Sequence, residues 1–344
     1  MRNISARRYH VVQGLHGAAL ALLTGLVLSA CQDGTTTPSP ANDSAGDVLE
    51  FELTPDGAAE AEGASMRGMR KLPTIPLREK IDAGFSASVA AVDNSPLDMT
   101  YFGGALVTDA TNLVVAVNCI TPNTPATCWG TGTLSPTTFL KDLNRSNYLR
   151  LANEYLGMDA KGNFPAWEMK TRVTFRSFNT ASMQEILQIV ADASTRAGIS
   201  GYQAIYHVFL PQGTSMCIEA GDCYSPSDPA SWTFCAFHGS VNLASNRHVL
   251  FTVQPYQGVD GCRLPSQTPN GLIDATASTL THELFETITD PDLDGWSNVL
   301  FGFEVADPCL AFGSNRVLNG HSYFIQSIYS NRLHLCTSTP PVVL

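Results

Sequence analysis

Residues 271 to 290 read "GLIDATASTLTHELFETITD", and residues 291 to 296 continue as "PDLDGW". Asp274 and Thr276 stand near the first periodic residue and Pro291 just past the last, the punctuation of a single helix. At 100° per residue from Ile273, the residues Ala277, Leu280, Leu284 and Ile288 fall within a sector of roughly 80°. That sector is a core stripe, so the helix is expected to lie across an apolar surface. His282, Glu286 and Asp290, each four residues apart, share an arc on the opposite side with Glu283 and Thr279.

Two readings fit that arc. One is the solvated face of an amphipathic helix. The other is a metal site in which His282 and Glu286, one turn apart, are ligands and Glu283 stands beside them as general base. That is the logic of HExxH zinc proteases, with glutamate in place of the second histidine. One imidazole among carboxylates suits zinc, and it suits manganese or calcium better than a two-histidine site would. Asp290 precedes a proline and so leaves the helix, to cap it or to bind a second ion. Asp290, Asp292, Asp294 and Gly295 match the first half of an EF-hand loop, but its twelfth position is Phe301 where a bidentate glutamate is required. A complete EF-hand is excluded; a simpler calcium turn and a solvated Asp-Pro-Asp turn remain.

Outward from this helix the chain alternates strand and helix signals. "TNLVVAVNCI" from residue 111 is a β-branched run bounded by turn residues, the pattern of a buried strand. "SPTTFLKDLNRSNYLRLANEYLG" begins with a capping signal and reads as one or two helices ending at Gly157. "TASMQEILQIVADASTRAGI" is another, with Met183, Ile186, Ile189 and Val190 on one face. "YQAIYHVFLP", "FCAFHGSV" and "HVLFTVQPY" read as strands, and "HSYFIQSIYS" stands out in a strand-rich tail. The expected fold is α+β, a mixed or antiparallel sheet covered by helices.

The first thirty residues hold three arginines and no acid, then the apolar run "GAALALLTGLVL", then "LSAC". This is the layout of a secretory signal, and Leu28-Ser29-Ala30-Cys31 resembles the lipobox in which a cysteine is lipidated and becomes the new N-terminus. Residues 1–30 are therefore expected to be a lipoprotein signal peptide and Cys31 the anchor. An ordinary signal peptide or a short membrane anchor are the alternatives. Residues 31–70 are rich in Thr, Pro, Ser, Gly and acid, and are expected to form a flexible acidic tether in which "VLEFEL" is a short strand. Residues 71–344 are expected to form one domain. The formal charge of −11 becomes −14 without the leader's three arginines, which argues against nucleic acid as a partner. Beyond Cys31 an even set of cysteines remains, Cys119, Cys128, Cys217, Cys223, Cys235, Cys262, Cys309 and Cys336. In an exported chain these read as disulfides, with Cys119–Cys128 and Cys309–Cys336 favoured by their short loops. No CxxC pair supports a thiolate zinc site.

Several segments, in order, resemble the phosphate-induced/EXORDIUM family of exported proteins. "TYFGGALVT" looks like that family's Tyr-His-Gly-Gly opening, with Phe102 where the histidine would stand. "FLKDLNRSNYLRLANEYLG" resembles its Ser-x-Tyr helix, "IYHVFLPQG" its strand and Leu-Pro turn, and "FCAFHGS" its Cys-x-x-His segment. "THELFETITDPDLDGW" resembles its HELAE-x-x-TDP segment, "FEVADPC" its Glu-Ile-x-Asp-x-Cys, and "NGHSYFIQSIYSNRLHLC" its C-terminal strand pair. The resemblance implies export, association with a cell wall or matrix and a link to growth control in plant members; it brings no secure enzymatic activity. It also pairs the HExxE helix with Glu304 and Asp307, placed where a zincin of the glutamate type brings its third ligand.

Taken together, these readings predict a disulfide-stabilised, zincin-like single domain at the cell envelope, tethered to a membrane by its N-terminal lipid. It is expected to bind one divalent metal, zinc in preference to calcium, through His282, Glu286 and Glu304 or Asp307, and to act on a peptide or cell-wall substrate if it is catalytic. A non-enzymatic surface or matrix protein holding structural calcium is the alternative. His238, three residues after Cys235, reads as a packed histidine near a disulfide, with a catalytic role or one supporting the site as the alternative; His207 reads as a packed strand histidine, and His321 and His334 have no acid nearby in sequence.

Overall fold

In chain order the strands are β1 (Leu49–Glu52), β2 (Ser65–Pro73), β3 (Thr100–Tyr101), β4 (Thr111–Val117), β5 (Ala166–Arg172), β6 (Thr180–Ser182), β7 (Gly201–Phe209), β8 (Ser215–Glu219), β9 (Asp222–Tyr224), β10 (Phe234–Asn242), β11 (His248–Gln254), β12 (Trp296–Ser297), β13 (Gly313–Leu318), β14 (His321–Gln326), β15 (Ile328–Ser330) and β16 (Leu335–Thr337). The helices are α1 (Pro55–Glu62), α2 (Pro136–Leu143), α3 (Asn153–Leu156), α4 (Met183–Ala197) and α5 (Leu272–Thr289). The computed structural model describes residues 49–73, 95–119, 129, 134–157, 162–177, 179–228, 233–263 and 271–341. Residues 1–30, Cys31 and Cys128 lie outside the described residues, as does the stretch up to residue 48.

Seven strands form one sheet in the order β1-β5-β4-β7-β11-β10-β2. β1, β5, β4, β7 and β11 run parallel, and β10 is antiparallel to both β11 and β2. The central parallel strands are continuous apolar runs because both faces are covered. On one face Val115, Val208 and Phe237 pack with Ile186, Ile189 and Val190 of α4. On the other, Ile205, Phe209 and Leu250 pack with Leu280, Leu284 and Ile288 of α5. The fold is α+β with a mixed sheet, as its element pattern implies. β5 escaped the sequence reading because "AWEMKTR" interleaves charged residues with its buried Ala166, Met169 and Thr171.

α4 starts where Ser182 and Glu185 form a reciprocal capping box, and it stops at Gly198 with φ 69°. α5 is different. Every residue from Ile273 to Thr289 is buried, the polar arc included, because the helix lies between the sheet and the β13–β14 hairpin. The solvated-face reading is thereby overturned: the arc faces other protein.

The tether expectation needs correction from residue 49 onward, apart from the short strand expected in "VLEFEL", which is β1. β1 pairs with β5, β2 pairs with β10 at the opposite edge, and α1 packs on α4. Thr54 caps α1 by accepting from Gly57 N at 2.9 Å and also bonds Asp192 of α4. Average composition hid this, since the segment carries just enough apolar residues, Phe51, Met66, Met69 and Leu72, to pack edge strands. Asp47–Leu344 forms one compact unit.

Three disulfides join Cys217–Cys223, Cys235–Cys262 and Cys309–Cys336, the last as expected from its loop. Cys119 is also disulfide-bonded. Among the described residues no helix is long and apolar enough to cross a membrane.

Candidate metal centre

The register of β10 and β2 sets His238 directly opposite Arg70, so both side chains leave the sheet on the face covered by α5. α5 brings His282, Glu283 and Glu286 over them. The loop after α5 adds Glu304, and the short 3₁₀ turn Asp307–Cys309 adds Asp307, held in place by the Cys309–Cys336 bridge. His238, His282, Glu283, Glu286 and Glu304 are all fully buried.

Two groups of side chains in this cluster are arranged so that they could hold a metal ion: His238, Glu283 and Glu286, and His282, Glu286 and Asp307. Within each group the ligand atoms lie within 4.8 Å of one another. His282 Nε2 is 3.1 Å from Glu286 Oε2 and 3.7 Å from Asp307 Oδ1. His238 Nδ1 is 3.1 Å from Glu283 Oε2 and 3.6 Å from Glu286 Oε2. His238 Nε2 is 3.5 Å from Glu304 Oε1, and Arg70 Nε donates to Glu304 Oε2 at 2.8 Å. Gln326 of β14 sets its amide nitrogen 3.1 Å from His282 Nδ1 and donates 2.8 Å to the Ala306 carbonyl. With that nitrogen toward the ring, Nδ1 accepts and the ring proton sits on Nε2; turning the amide would free Nε2 for a cation.

Both oxygens of Glu286, Glu283 Oε1 and Glu304 Oε1 are buried with no hydrogen-bond partner among the described residues. Burial, reinforced by Asp307 and Glu304, pushes the Glu286 carboxyl well above the usual carboxylate range. Burial likewise raises Glu283 to about 7, and burial with Glu304 raises Asp307 to about 6. Glu304 moves the other way, because His238 and Arg70 outweigh its burial and hold it below the ordinary value. For His238 the two glutamates overcome burial and lift the ring to about 10.

Of the ligands expected from sequence, His282 and Glu286 come together, and Asp307 rather than Glu304 completes their group. Glu304 serves Arg70 and His238 instead. Asp290 joins neither group: its Oδ1 accepts from Gly295 N at 2.6 Å and closes the turn after α5. Nor do Asp290, Asp292 and Asp294 converge as a calcium turn, since no described group of three ligand atoms includes any of them. Asp292 Oδ1 accepts from Ser240 Oγ at 2.5 Å and Oδ2 from Tyr202 OH at 2.6 Å. The Phe102–Gly104 segment grips this turn through Phe102 N to Gly295 O at 2.7 Å and Gly104 N to Asp294 O at 2.8 Å. A Cβ on Gly104 would come within 2.5 Å of the Asp294 carbonyl carbon, so glycine is required there.

Two members are not among the ligands expected from sequence: His238 reads first as packing, and Arg70 was missed. His238 carried a signal, the Cys-x-x-His spacing of "FCAFHGS", but its acidic partners lie 45 or more residues away. Arg70 carried none, falling inside the supposed tether. His207 is a packed histidine, bonded to Thr252 Oγ1 and Asn112 Oδ1 at 2.9 Å each. His321 and His334 do have acidic partners, Asp142 at 2.6 Å and Asp98 at 2.9 Å, both distant in sequence.

No family model, no curated protein and no solved structure matches this chain.

Proposed function

We propose that this chain is an exported metal-binding protein whose buried centre holds a divalent cation through His282, Glu286 and Asp307. One observation carries the reading: Glu286 presents two buried oxygens that no hydrogen-bond donor among the described residues meets, set among further carboxylates. Burying carboxylates unpaired costs several kcal/mol each, roughly, which a folded chain tolerates only if protons or a cation neutralise them. The donor set of one imidazole and two carboxylates fits zinc or manganese, with zinc favoured. A bound divalent cation would supply balancing charge and Lewis acidity toward a water molecule. The reading includes lipid anchoring at Cys31, a place in the cell envelope, and membership of the EXORDIUM-like group with a zincin-like domain.

A second reading, metal-assisted peptide hydrolysis, is favoured by Glu283. It follows His282 on the same helix, and its Oε1 is buried with no hydrogen-bond partner among the described residues, as a general base beside a metal-bound water requires. The test of the main reading is elemental analysis of the full chain purified without added metal, beside a His282→Ala, Glu286→Ala double variant. Near-stoichiometric zinc or manganese, lost in the variant while circular dichroism is unchanged, is the expected result. Calcium, or no metal in either sample, would overturn it. A peptidase screen with Glu283→Gln as control tests the second reading.

A further inference from the structure

We infer that the cluster is built for two divalent cations bridged by Glu286, an inference that rests on the metal-binding reading above. The two ligand groups have Glu286 in common and divide the imidazoles between them; no described group contains both His238 and His282. A single ion therefore reaches one ring or the other, not both. Glu286 Oε2 lies between them, 3.1 Å from His282 Nε2 and 3.6 Å from His238 Nδ1. One carboxylate facing two nitrogen ligands is the arrangement of paired metal ions about 3.5–4 Å apart.

Each ring also has its own support. Behind His238, Glu304 Oε1 stands 3.5 Å from Nε2 and is itself held by Arg70, the carboxylate–histidine pattern that orients a metal-ligating imidazole. Behind His282, the Gln326 amide is 3.1 Å from Nδ1, and with its oxygen turned to the ring it would hold the proton on Nδ1 and leave Nε2 to the ion. Supporting groups of this kind on both rings are expected if both are ligands, and superfluous if one is only packing.

Charge points the same way. Glu283, Glu286, Asp290, Glu304 and Asp307 are buried in or beside the cluster, with Arg70 as the one guanidinium ion-paired there among the described residues. Fully ionised carboxylates against that guanidinium leave a formal charge of about −4, which two divalent cations balance and one does not. Among the described residues the unpartnered carboxylate oxygens fall on the bridge and on the His238 side of it, both Glu286 oxygens at the centre and Glu283 Oε1 and Glu304 Oε1 beside His238. Glu283 thereby becomes a ligand of the second cation and is no longer free to serve as a base. Imidazole on each side of a carboxylate bridge selects manganese, iron(II) or zinc rather than calcium.

The experiment is metal stoichiometry of the full chain saturated with Mn²⁺ and gel-filtered, read by elemental analysis and electron paramagnetic resonance. Two ions per chain with an exchange-coupled spectrum are expected. His238→Gln and Glu283→Gln should each lower the content to one ion and give the spectrum of isolated Mn²⁺. One ion per wild-type chain with an uncoupled spectrum would overturn the two-ion inference and leave the single-cation reading standing. No bound ion in the wild type would overturn both. The spectrum of the wild type decides between one ion and two even where a variant fails to fold.

Discussion

Two histidines on one face of the sheet have opposite fates. His207 on β7 and His238 on β10 are separated by the single strand β11, where Thr252 is the register partner of both. Both rings are completely buried. His207 is met by a hydroxyl and an amide, and burial alone drives it down to about 3, so it stays neutral. His238 is met by glutamates that lift it to about 10. Burial is the same for the two; the charge of the partners decides. The lesson is that a buried histidine is inert or reactive according to what the covering element brings, and α5 covers His238 with acids.

The largest effect should separate the halves of this pair outright. If the acidic half holds a cation, stripping it with a chelator should lower stability by about 4 kcal/mol at a free concentration ~1,000-fold above Kd. Urea unfolding with and without chelator measures it. His207→Gln should keep that sensitivity in full, and His238→Gln should lose the part that belongs to the second ion while keeping the part due to the ion on the His282 side. Coincident unfolding curves for the wild type in both conditions would end the distinction.

A smaller effect belongs to the neutral half. The folded value of His207 is depressed to about 3 against an ordinary 6.5, so below pH 6.5 the unfolded ring takes up a proton that the folded ring refuses. The unfolded state then binds more protons, and stability falls as pH drops from 6.5 toward 3. By pH 4 the loss assigned to this ring is about 3 kcal/mol. His207→Gln should be less stable than the wild type at pH 7, yet lose about 3 kcal/mol less on acidification, as denaturant unfolding at pH 7, 5.5 and 4 would reveal. Parallel pH profiles for the two proteins would refute the assignment.

How far these contrasts could be read in the sequence depended on the range of the interaction. The helix that carries His282, Glu283 and Glu286 was legible because its core stripe repeats within the segment, and α5 spans Leu272–Thr289 as its punctuation requires. β4, β7, β10 and β11 were legible as apolar runs for the same local reason. What surrounds the polar arc was not legible. Burial of that arc follows from the β13–β14 hairpin closing over α5, and nothing inside residues 271–290 encodes a second covering layer. The choice of Asp307 over Glu304 was equally hidden. Two acids three residues apart on a turn part company because Arg70, 234 residues before Glu304, claims one of them. "IYHVF" and "AFHGS" look alike as strand histidines because their difference lies wholly in distant partners.

Arg70 supplies the smallest and most discriminating prediction. Its guanidinium donates to Glu304 Oε2 and to the Gly302 carbonyl, while 37% of its side chain remains exposed. Breaking a fully buried ion pair by removing one partner costs about 3–5 kcal/mol, because the other charge is left uncompensated. Solvent reaching the guanidinium screens the pair, so Arg70→Met, which keeps most of the apolar stem, should cost only about 2 kcal/mol in metal-free protein. Glu304→Gln removes the charge that Arg70 answers, so the loss should shrink in a double variant. A double-mutant cycle by urea unfolding measures that coupling. Additive losses would mean that Arg70 merely packs against β10. A large coupling would show that the edge strand β2 contributes charge to the centre, and that the acidic surroundings of His238 are held in place from the edge of the sheet as well as from α5.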